Sequence, residues 1–537
     1  MKKITFFTLA IAILFCVVTG FSKKDSVENK NIKILELNSV VTNEDDNTVE
    51  NGRKIEAKLE RLKQAKEYNF PQILAVKDPY KFNTTGLYVY FKTAKATKIK
   101  ENISVANTKN FKRWLKGKRQ YSKTHEYLLT GIVPSRKNII TLTAVDKRGK
   151  KKAIRFVYNA PKILSESYKG LKIQRGTSKA KPIDGLFLVP MKENTSLLID
   201  DDGVIRGELR FNLVNVQFKD GYLYNLIDSK ISKVNNLGQI EKIYGSKNYG
   251  IHHDFTIAND DLYALATNKQ VMQKENRVCD SVIKIDLKDG KVTELFDFKD
   301  LVPKLYKKAT GVVKNLVLNN KGHRDNIHPN SINYMDGAVI ISSRETSTIM
   351  KINVSGNKPK IEYFLSEPSI WKNIGYSEYL YQKVSNFQPN AGQHSVRIER
   401  NKNFSRTKYY LYMYDNNSAI MDSRPDFSWD GFSGVVKVPT VVNKNTVLPK
   451  GARSYYYKYL VNEKARTFKL VKKIALPFSF FQSNVMEING HIIYGTSFKG
   501  AFGELDSNGK AINSFMLKAN SRPYRVAKFN FNGYWFE

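Results

Sequence analysis

The sequence predicts an all-β protein, a six-bladed β-propeller preceded by a small N-terminal β-sandwich domain. Strand-like segments recur in groups of four after Gly185, and such groups are the blades of a propeller. Aromatic residues make up 12% of the chain, with 30 Tyr and 30 Phe, which suits a large β protein. The last strand-like segment, YRVAKFNF from Tyr524, is left over and is placed to close the ring against the first blade.

Four groups begin with strands that are polar at first and apolar afterwards. These strands are HDFTI at His253, HPNSI at His328, HSVRI at His394 and SNVME at Ser483. Each is followed by three more strand-like segments, for example AVIISSR, TIMKINV and PKIEYFL after His328. Two earlier groups contain GLFLVP and VNVQFKD, so we predict six blades within residues 161–537, with the first strands lining a central funnel.

The residues before the propeller predict a separate domain at 53–160. An amphipathic helix is expected over 53–68, with Ile55, Leu59 and Leu62 on one side. Strands follow at 86–93, 125–132 and 138–146, and then comes a turn and the strand KAIRFVYN. Residues 23–52 are polar and acidic without clear periodicity, and we interpret them as a linker.

The first 22 residues have the order of segments of a secretory signal peptide. Lys2 and Lys3 precede an apolar run, and the small residues Gly20 and Ser22 follow it. We therefore expect export to the periplasm, and no later segment is long and apolar enough to span a membrane. Cys16 leaves open a lipoprotein, although Phe15 stands where lipid attachment favours a small residue. Without Cys16 only Cys279 remains, so the fold must depend on core burial.

The chain is strongly basic, with 88 Lys+Arg against 50 Asp+Glu and a formal net charge of +38. Such an excess is compatible with nucleic acid or an anionic membrane surface as a partner. The lysines are spread along the whole chain, however, and alternate with apolar residues as on solvated strand faces. We interpret them as a basic surface without a dedicated polyanion partner, whose field attracts small anionic substrates.

His253, His328 and His394 predict a functional site because they occupy the same place in three consecutive blades. Imidazoles at the start of adjacent axial strands would converge at one mouth of the funnel. Arg344 ends the second strand of the His328 blade, and its planar guanidinium suits a sulfate, phosphate or carboxylate. Other residues are expected to face the same opening: Asn330, Tyr524 and Arg525.

Several motifs resemble those of bacterial arylsulfate sulfotransferases, exported enzymes that need no nucleotide sulfate donor. The motifs are GIHHDF, HPNSINY, ISSRETSTIMKI, QHSVRI, YRVAKF and the turn YDNN at 414–417. They occur in the order found in that family and cover almost the whole mature chain. The front segments DPYKFNTTGLYVYFKT and THEYLLTGIVPSRKNIITLTA are similar to the family's N-terminal β-sandwich.

The resemblance implies that His394 is a nucleophile that takes a sulfuryl group from an aryl sulfate and passes it to a phenol. The intermediate would be a sulfohistidine and the kinetics ping-pong, with no cofactor. It also implies a homodimer. The donors to the sulfuryl oxygens would be Arg344, His328, Asn330 and the pair His252-His253, of which register favours His253. This chain lacks the cysteine pair that family members often carry after the catalytic histidine, so the loop there must be ordered by packing or stay mobile.

Two other classes of function compete with this interpretation. A metal-dependent hydrolase of anionic esters could use ligands among His252, His253, Asp254, His323, Asp325 and His328. A structural calcium ion could bind at 199–203, which is also an ordinary turn sequence. Finally, an exported propeller could be a binding protein without catalysis, because the fold hosts many functions.

Overall fold

The structure, a computed structural model, describes residues 27–37, 48–278, 280–311, 323–438, 446–519 and 522–537. The predicted signal peptide at 1–22, with Cys16, and the single later cysteine, Cys279, lie outside these residues. Within them the chain is mostly β-strand, as predicted, and the helices are few and short apart from the first. None of the described helices combines the length and apolarity that a membrane span requires.

The N-terminal domain is built on eight strands and one long helix. Its elements are β1 (Val27–Asn29), β2 (Ile34–Leu35), α1 (Val49–Ala65), β3 (Leu74–Lys77), β4 (Leu87–Ser104), β5 (Phe111–Trp114), β6 (Ser122–Leu129), β7 (Lys137–Asp146) and β8 (Lys151–Asn159). The register of β4 shifts between Lys92 and Thr97. Its first part pairs with β3 and β6 and its second part with β5 and β7, so one strand serves both halves of the domain.

Helix α1 begins earlier than the expected 53–68 and ends at Ala65. The Thr48 side chain caps it by accepting from the Asn51 N–H, a local signal outside the apolar periodicity. Ile55 and Leu59 are buried against β3, β4 and β6, whereas Leu62 is only partly buried. The segment interpreted as a linker also contains structure, because β1 and β2 pair in parallel with β8 and β3. This pairing depends on distant strands, which the local sequence does not show.

The propeller consists of six sheets, here called blades 1 to 6 in chain order. A preceding strand, β9, spans Tyr168–Arg175. Blade 1 has β10 (Leu186–Met191), β11 (Thr195–Ile199) and β12 (Ile205–Arg210). Blade 2 has β13 (Val216–Lys219), β14 (Tyr222–Ile227), β15 (Lys230–Val234) and β16 (Ile240–Tyr244). Blade 3 has β17 (Tyr249–Ala258), β18 (Asp261–Asn268), β19 (Ser281–Asp286) and β20 (Val292–Asp297), with helix α2 (Lys269–Glu275) between β18 and β19.

Blades 4 to 6 complete the ring. Helices α3 (Phe298–Leu301) and α4 (Pro303–Lys308) lead to blade 4, which has β21 (Pro329–Met335), β22 (Ala338–Ser343), β23 (Thr348–Asn353) and β24 (Lys360–Leu365). After α5 (Pro368–Lys372) and a 3₁₀ turn (Ser377–Tyr379), blade 5 has β25 (Gln382–Val384), β26 (His394–Glu399), β27 (Lys408–Asp415), β30 (Ser454–Asn462) and β31 (Thr467–Leu476). The short strands β28 (Ser418–Ala419) and β29 (Val436–Lys437) pair separately. Blade 6 has β32 (Asn484–Ile488), β33 (His491–Thr496), β34 (Ala501–Leu505) and β35 (Ala511–Ala519).

Two distant pairings close the ring. The last strand, β36 (Ala527–Phe529), pairs with β10 of blade 1, as the leftover segment predicted. The sequence did not predict that β9 pairs with β35 and adds an outer strand to blade 6. Both ends of the propeller are therefore held by segments from the opposite end of the chain, which leaves fewer free sheet edges.

The loop after the expected nucleophile is ordered by packing over its described part, 417–438. Phe427 and Trp429 lie 5.2 Å apart between ring centroids, and Phe432 stacks on Phe427 and meets Trp429 edge to face. The Trp429 indole N–H donates to the Ile420 carbonyl at 3.1 Å, and Asn417 donates to Gly434 and Arg453. Packing around the buried Trp429, with Phe427 and Phe432 partly buried beside it, orders this part of the loop without a disulfide.

Candidate active site

The candidate site is formed where the inner strands of blades 3, 4 and 5 begin. In each of these strands the pairing register shifts at the histidine or just after it: between Ile251 and Phe255, between Pro329 and Ser331, and between His394 and Arg397. His253, His328 and Ser395 all have left-handed backbones, with φ of 56°, 46° and 57°. Such conformations cost about 1–3 kcal/mol each in non-glycine residues, and bulges of this kind redirect side chains. The strand starts are therefore shaped to aim side chains into the mouth.

The bulge in blade 3 brings both His252 and His253 to the site. Strand register favoured only His253, but the structure places both residues there. The two Nδ1 atoms lie 2.7 Å apart, which means that one of the rings carries a proton between them. The ring of His253 also meets the ring of His328 edge to face, with centroids 4.8 Å apart. Three imidazoles from two blades thus form one contiguous group.

His328 is held by a carboxylate that the sequence had suggested only as a possible metal ligand. Its Nδ1 contacts Asp325 Oδ2, and both residues are buried. Burial raises the pKa of Asp325 to about 6 and lowers the pKa of His328 well below its ordinary value. At neutral pH the proton is therefore on His328 Nδ1, and Nε2 keeps its lone pair to accept a proton.

The His394 ring has a different set of partners. Its Nδ1 lies 3.0 Å from the Gly392 carbonyl and 2.8 Å from Asn416 Oδ1. Its Nε2 accepts a hydrogen bond of 3.2 Å from the backbone N–H of Gln482 in blade 6. The proton therefore lies on Nδ1 and the lone pair on Nε2, which is the tautomer that a nucleophile at Nε2 requires.

Arg344 lies directly after β22, and its backbone N–H donates to the His328 carbonyl at 3.2 Å. Its guanidinium is 3.8 Å from Asp325 Oδ2 and 3.8 Å from Glu345 Oε2, beyond hydrogen-bonding distance. The Nε atom is buried and has no hydrogen-bond partner in the described part of the chain. A partly buried guanidinium that is only loosely held by carboxylates is suited to bind an incoming anion.

Gln393 sets the position of His394 relative to Arg344. Its side-chain amide donates to the carbonyl of Ser343, which precedes Arg344, at 3.0 Å. The Asn330 side chain donates to the Gln393 carbonyl at 2.8 Å, while Asn330 Oδ1 is buried and has no hydrogen-bond partner among the described residues. In this arrangement the Asn330 amide N–H holds the backbone beside His394. The side-chain oxygen of Asn330 remains for other partners, and it is an acceptor and not the donor that a sulfuryl oxygen requires.

Below the histidines a buried carboxylate joins several parts of the ring. Asp254 accepts from Arg397 in blade 5 at 2.7 Å, from Arg525 at 3.2 Å and from the Ile332 backbone of blade 4 at 3.1 Å. The Asn215 amide of blade 2 donates to it as well. Arg525 is therefore engaged in the floor of the site, where it also donates to the Asn330 carbonyl at 2.7 Å. Two guanidinium groups on one carboxylate leave a positive charge there.

Tyr524 lies at the wall of the mouth, where its ring centroid is 6.0 Å from that of His253. On the side of Gln482, Phe481 and Phe498 form an edge-to-face pair with centroids 6.5 Å apart, and the Arg522 guanidinium lies 4.8 Å from the Phe498 ring. The sequence reasoning did not select Phe481 or Phe498, because aromatic residues are frequent throughout the chain. Because Phe481 directly precedes Gln482, whose N–H contacts His394 Nε2, this pair is a candidate apolar surface for an aromatic ligand.

The electrostatics of the site favour neutral imidazoles and a bound anion. Burial lowers the pKa of His394 well below its ordinary value, and the nearby Arg344 charge lowers it further. Burial does the same for His253 and lowers the pKa of His252 to about 4. Four uncharged imidazoles beside Arg344 and Arg525 therefore form a positive, nucleophile-bearing site.

The alternative metal sites find no support in the contacts of the described residues. Across these residues no group of three or more His, Cys, Asp or Glu side chains could hold a metal ion. At the turn 199–203, Asp200 accepts from two backbone N–H groups and pairs with Arg206. Asp201 pairs with Lys528, and Asp202 with Arg175 and Lys109. That segment is an ordinary turn with its carboxylates already neutralised.

Comparison with known proteins identifies both domains. The family described as "Arylsulfotransferase (ASST)" matches residues 172–527, and the "Arylsulfotransferase Ig-like domain" matches residues 74–161. The match of the first covers most of the chain. A comparison with curated proteins finds no match.

Similar solved structures include AztD from Citrobacter koseri in its apo form, at 11% identity and a TM-score of 0.24, covering 81% of this chain and 98% of that chain. The Pan2 WD40 domain of Neurospora crassa has 8% identity and a TM-score of 0.29, covering 68% and 99%. A functionally unknown protein from Desulfotomaculum acetoxidans has 9% identity and a TM-score of 0.32, covering 64% and 98%. Scores this low support no inference about function.

Proposed function

The chain belongs to the arylsulfotransferase family and is a sulfotransferase, and we propose that it transfers the group by a ping-pong mechanism through a sulfohistidine at His394. The observation that carries the proposal is the tautomer of His394. Its protonated Nδ1 faces two carbonyl oxygens, and its Nε2 lone pair accepts from the Gln482 N–H, a hydrogen bond that the incoming sulfuryl group would displace. A neutral imidazole in this form is a nucleophile without help from a base.

In the first half-reaction, Nε2 attacks the sulfur of an aryl sulfate and forms the N–S bond as the S–O(aryl) bond breaks. The electron pair leaves with the phenolate oxygen. Negative charge on the sulfuryl oxygens is met by the Arg344 guanidinium, whose Nε has no other partner in the described structure. The Gln482 N–H, which lies next to the reacting nitrogen, is a second donor to these oxygens.

In the second half-reaction, a phenolic acceptor attacks the sulfur and the N–S electron pair returns to Nε2. The acceptor proton passes to His328 Nε2, and Asp325 stabilises the imidazolium that forms. That proton is then available to the leaving phenolate of the next cycle, so the two halves balance. The ring of His253 packs edge to face against His328 and helps to hold it in place.

The mechanism is tested with purified protein, 4-nitrophenyl sulfate and added phenol. We expect nitrophenol release that depends on phenol, and a transient intact-mass adduct of one sulfuryl group in its absence. Release at the same rate without phenol would instead indicate a hydrolase. No release and no adduct would indicate a binding propeller.

Replacing Arg344 tests the group that binds the sulfuryl oxygens. We expect Arg344→Gln to lower the rate of the first half-reaction about 10²–10³-fold, because one donor to the transferring oxygens is lost. Arg344→Lys keeps the charge but loses the planar fork, so it should recover only part of the rate. Stopped-flow nitrophenolate release measures both variants.

The matched control is Arg400→Gln, since Arg400 is a partly exposed arginine that pairs with Asp336 away from the histidines. It should retain the wild-type rate. Equal losses in the Arg344 and Arg400 variants would contradict a specific role for Arg344.

We also propose that the protein is periplasmic and acts as a homodimer. The basic and apolar segments at 1–22 support export, and the family resemblance supports the dimer. N-terminal sequencing of the exported protein and light scattering of the mature chain measure these two properties.

A further inference from the structure

The Nδ1 atom of His394 is surrounded by acceptors and not by an acid. The Gly392 carbonyl and Asn416 Oδ1 lie at 3.0 and 2.8 Å. Gly392 has φ of +64°, and a Cβ there would come within 3.1 Å of the Ser418 carbonyl oxygen, so a glycine suits this position. Histidine nucleophiles and bases are usually oriented by a carboxylate, whereas this ring is oriented by neutral oxygens.

The orientation of the Asn416 amide follows from its other contacts. Its Nδ2 donates to the Ser479 carbonyl at 3.0 Å and to the Gln482 carbonyl at 3.1 Å. A flipped amide would direct its oxygen at these two carbonyls and its N–H₂ at His394, so the contacts select one assignment. Asn416 is fully buried and joins the end of β27 to the segment that carries the Gln482 N–H.

The titratable groups whose positive charge disfavours protonation of His394 are Arg344, His328 when it is protonated, and Arg525. The nearby carboxylate of Asp415 accepts instead from the Ala391 and Asn417 backbone N–H groups, at 2.8 and 3.3 Å. The carboxylate of Asp325 contacts His328. Among the described residues, therefore, no carboxylate is hydrogen-bonded to the His394 ring.

We propose that Asn416 is a positioning residue that keeps the sulfated His394 in its reactive, cationic form. When Nε2 forms the N–S bond, the ring retains the Nδ1 proton and becomes an N-sulfoimidazolium. A neutral amide oxygen cannot take that proton. The leaving group of the second half-reaction is therefore neutral imidazole, whereas loss of the proton would leave a neutral sulfoimidazole that must expel imidazolate.

The inference rests on the proposed sulfohistidine, and replacement of Asn416 by aspartate tests it. The electron-withdrawing sulfuryl group makes the Nδ1 proton of the intermediate more acidic than that of a free imidazolium, and an aspartate carboxylate is a base that can accept it. Asn416→Asp should therefore draw the Nδ1 proton from the intermediate, although the same carboxylate stabilises the free imidazolium, and slow discharge to phenol by at least about tenfold. Formation of the adduct should be affected much less. The acid limb of the first half-reaction should move to higher pH, because the free imidazolium is stabilised.

The neighbouring Asn417 provides a matched control. Its amide also donates to two backbone carbonyls, those of Gly434 and Arg453, at 2.8 and 3.0 Å, but it contacts no histidine. Asn417→Asp therefore removes the same kind of bonds without changing the charge at His394. Nitrophenolate bursts and quenched intact-mass measurements with phenol give the formation rate and the lifetime of the adduct for each variant.

The expected result is a long-lived adduct in Asn416→Asp only. Discharge within twofold of the wild type, or the same slowing in Asn417→Asp, would overturn the inference while the wild-type adduct still supported the proposed function. If the wild type forms no adduct, the proposed function itself fails. Should Asn416→Asp not fold, Asn416→Ala replaces it: a slower burst with a wild-type adduct lifetime supports the inference, and an unchanged burst overturns it.

Discussion

Replacement of His394 by alanine is expected to abolish sulfuryl transfer, with a fall in the rate of nitrophenol release of at least about 10⁴-fold. The reason is that the covalent step needs the Nε2 lone pair. His328 also has an Nε2 lone pair, but its contact with Asp325 suits it to accept a proton, and the Nδ1 atoms of His252 and His253 contact each other. The intact-mass adduct should also disappear, since no other imidazole is oriented by two acceptors with its Nε2 beside Gln482.

The matched control for this prediction is His491→Asn. His491 begins β33 in blade 6, where its Nδ1 contacts Glu504 at 2.6 Å, apart from the histidine group. This variant should keep both the adduct and the rate. An adduct that persists in His394→Ala, located by peptide mapping on another histidine, would contradict the assignment of the nucleophile.

Asp254→Asn should produce the largest loss of stability, about 3–5 kcal/mol in the free energy of unfolding. Both carboxylate oxygens are surrounded by hydrogen-bond donors. Oδ2 accepts from Arg397 and the Ile332 N–H, and Oδ1 accepts from Arg525 and Asn215. An asparagine would direct its N–H₂ at donors on one side and leave the buried Arg525 and the partly buried Arg397 without a carboxylate. Urea unfolding followed by tryptophan fluorescence measures the change.

Asp336→Asn is the control for a change of charge at a partly exposed ion pair. Asp336 pairs with Arg400 and Arg406, and its side chain is 38% exposed. Its replacement should change the free energy of unfolding by only about 0–1 kcal/mol. A similar loss in both variants would show that Asp254 does not join the blades in the way the hydrogen bonds indicate.

The blades were predictable because strand periodicity is local. Alternation of polar and apolar residues places one face of each inner strand on the axis, and turn residues mark the strand ends. The elements that sequence reasoning missed depend on distant partners. Strand β9 pairs with β35, more than three hundred residues away, and the C-terminal Phe536 is buried against the front domain beside Leu115. Neither segment contains a local sequence pattern that identifies its partner.

The positions of the site residues were partly predictable. The shared place of His253, His328 and His394 in three blades follows from the repeat, and Arg344 follows from the end of the next strand. The choice between His252 and His253 could not be made from strand alternation, because three residues at 252–254 bulge out of the pairing and both rings reach the mouth. The segments DNIH at 325–328 and YDNN at 414–417 contain the signals for Asp325 and Asn416, but only contacts reveal what these residues do.

By itself, the sequence determined the class of fold, the number of blades and the family, since each depends on patterns that repeat along the chain or on motifs in order. Only the tertiary structure decided the protonation geometry of the site. The proton on His394 Nδ1 depends on Asn416 and Gly392, and the lone pair on Nε2 faces a backbone N–H from another blade. Hydrogen-bond partners that come from separate blades meet only after the ring has closed, so no local pattern can specify them.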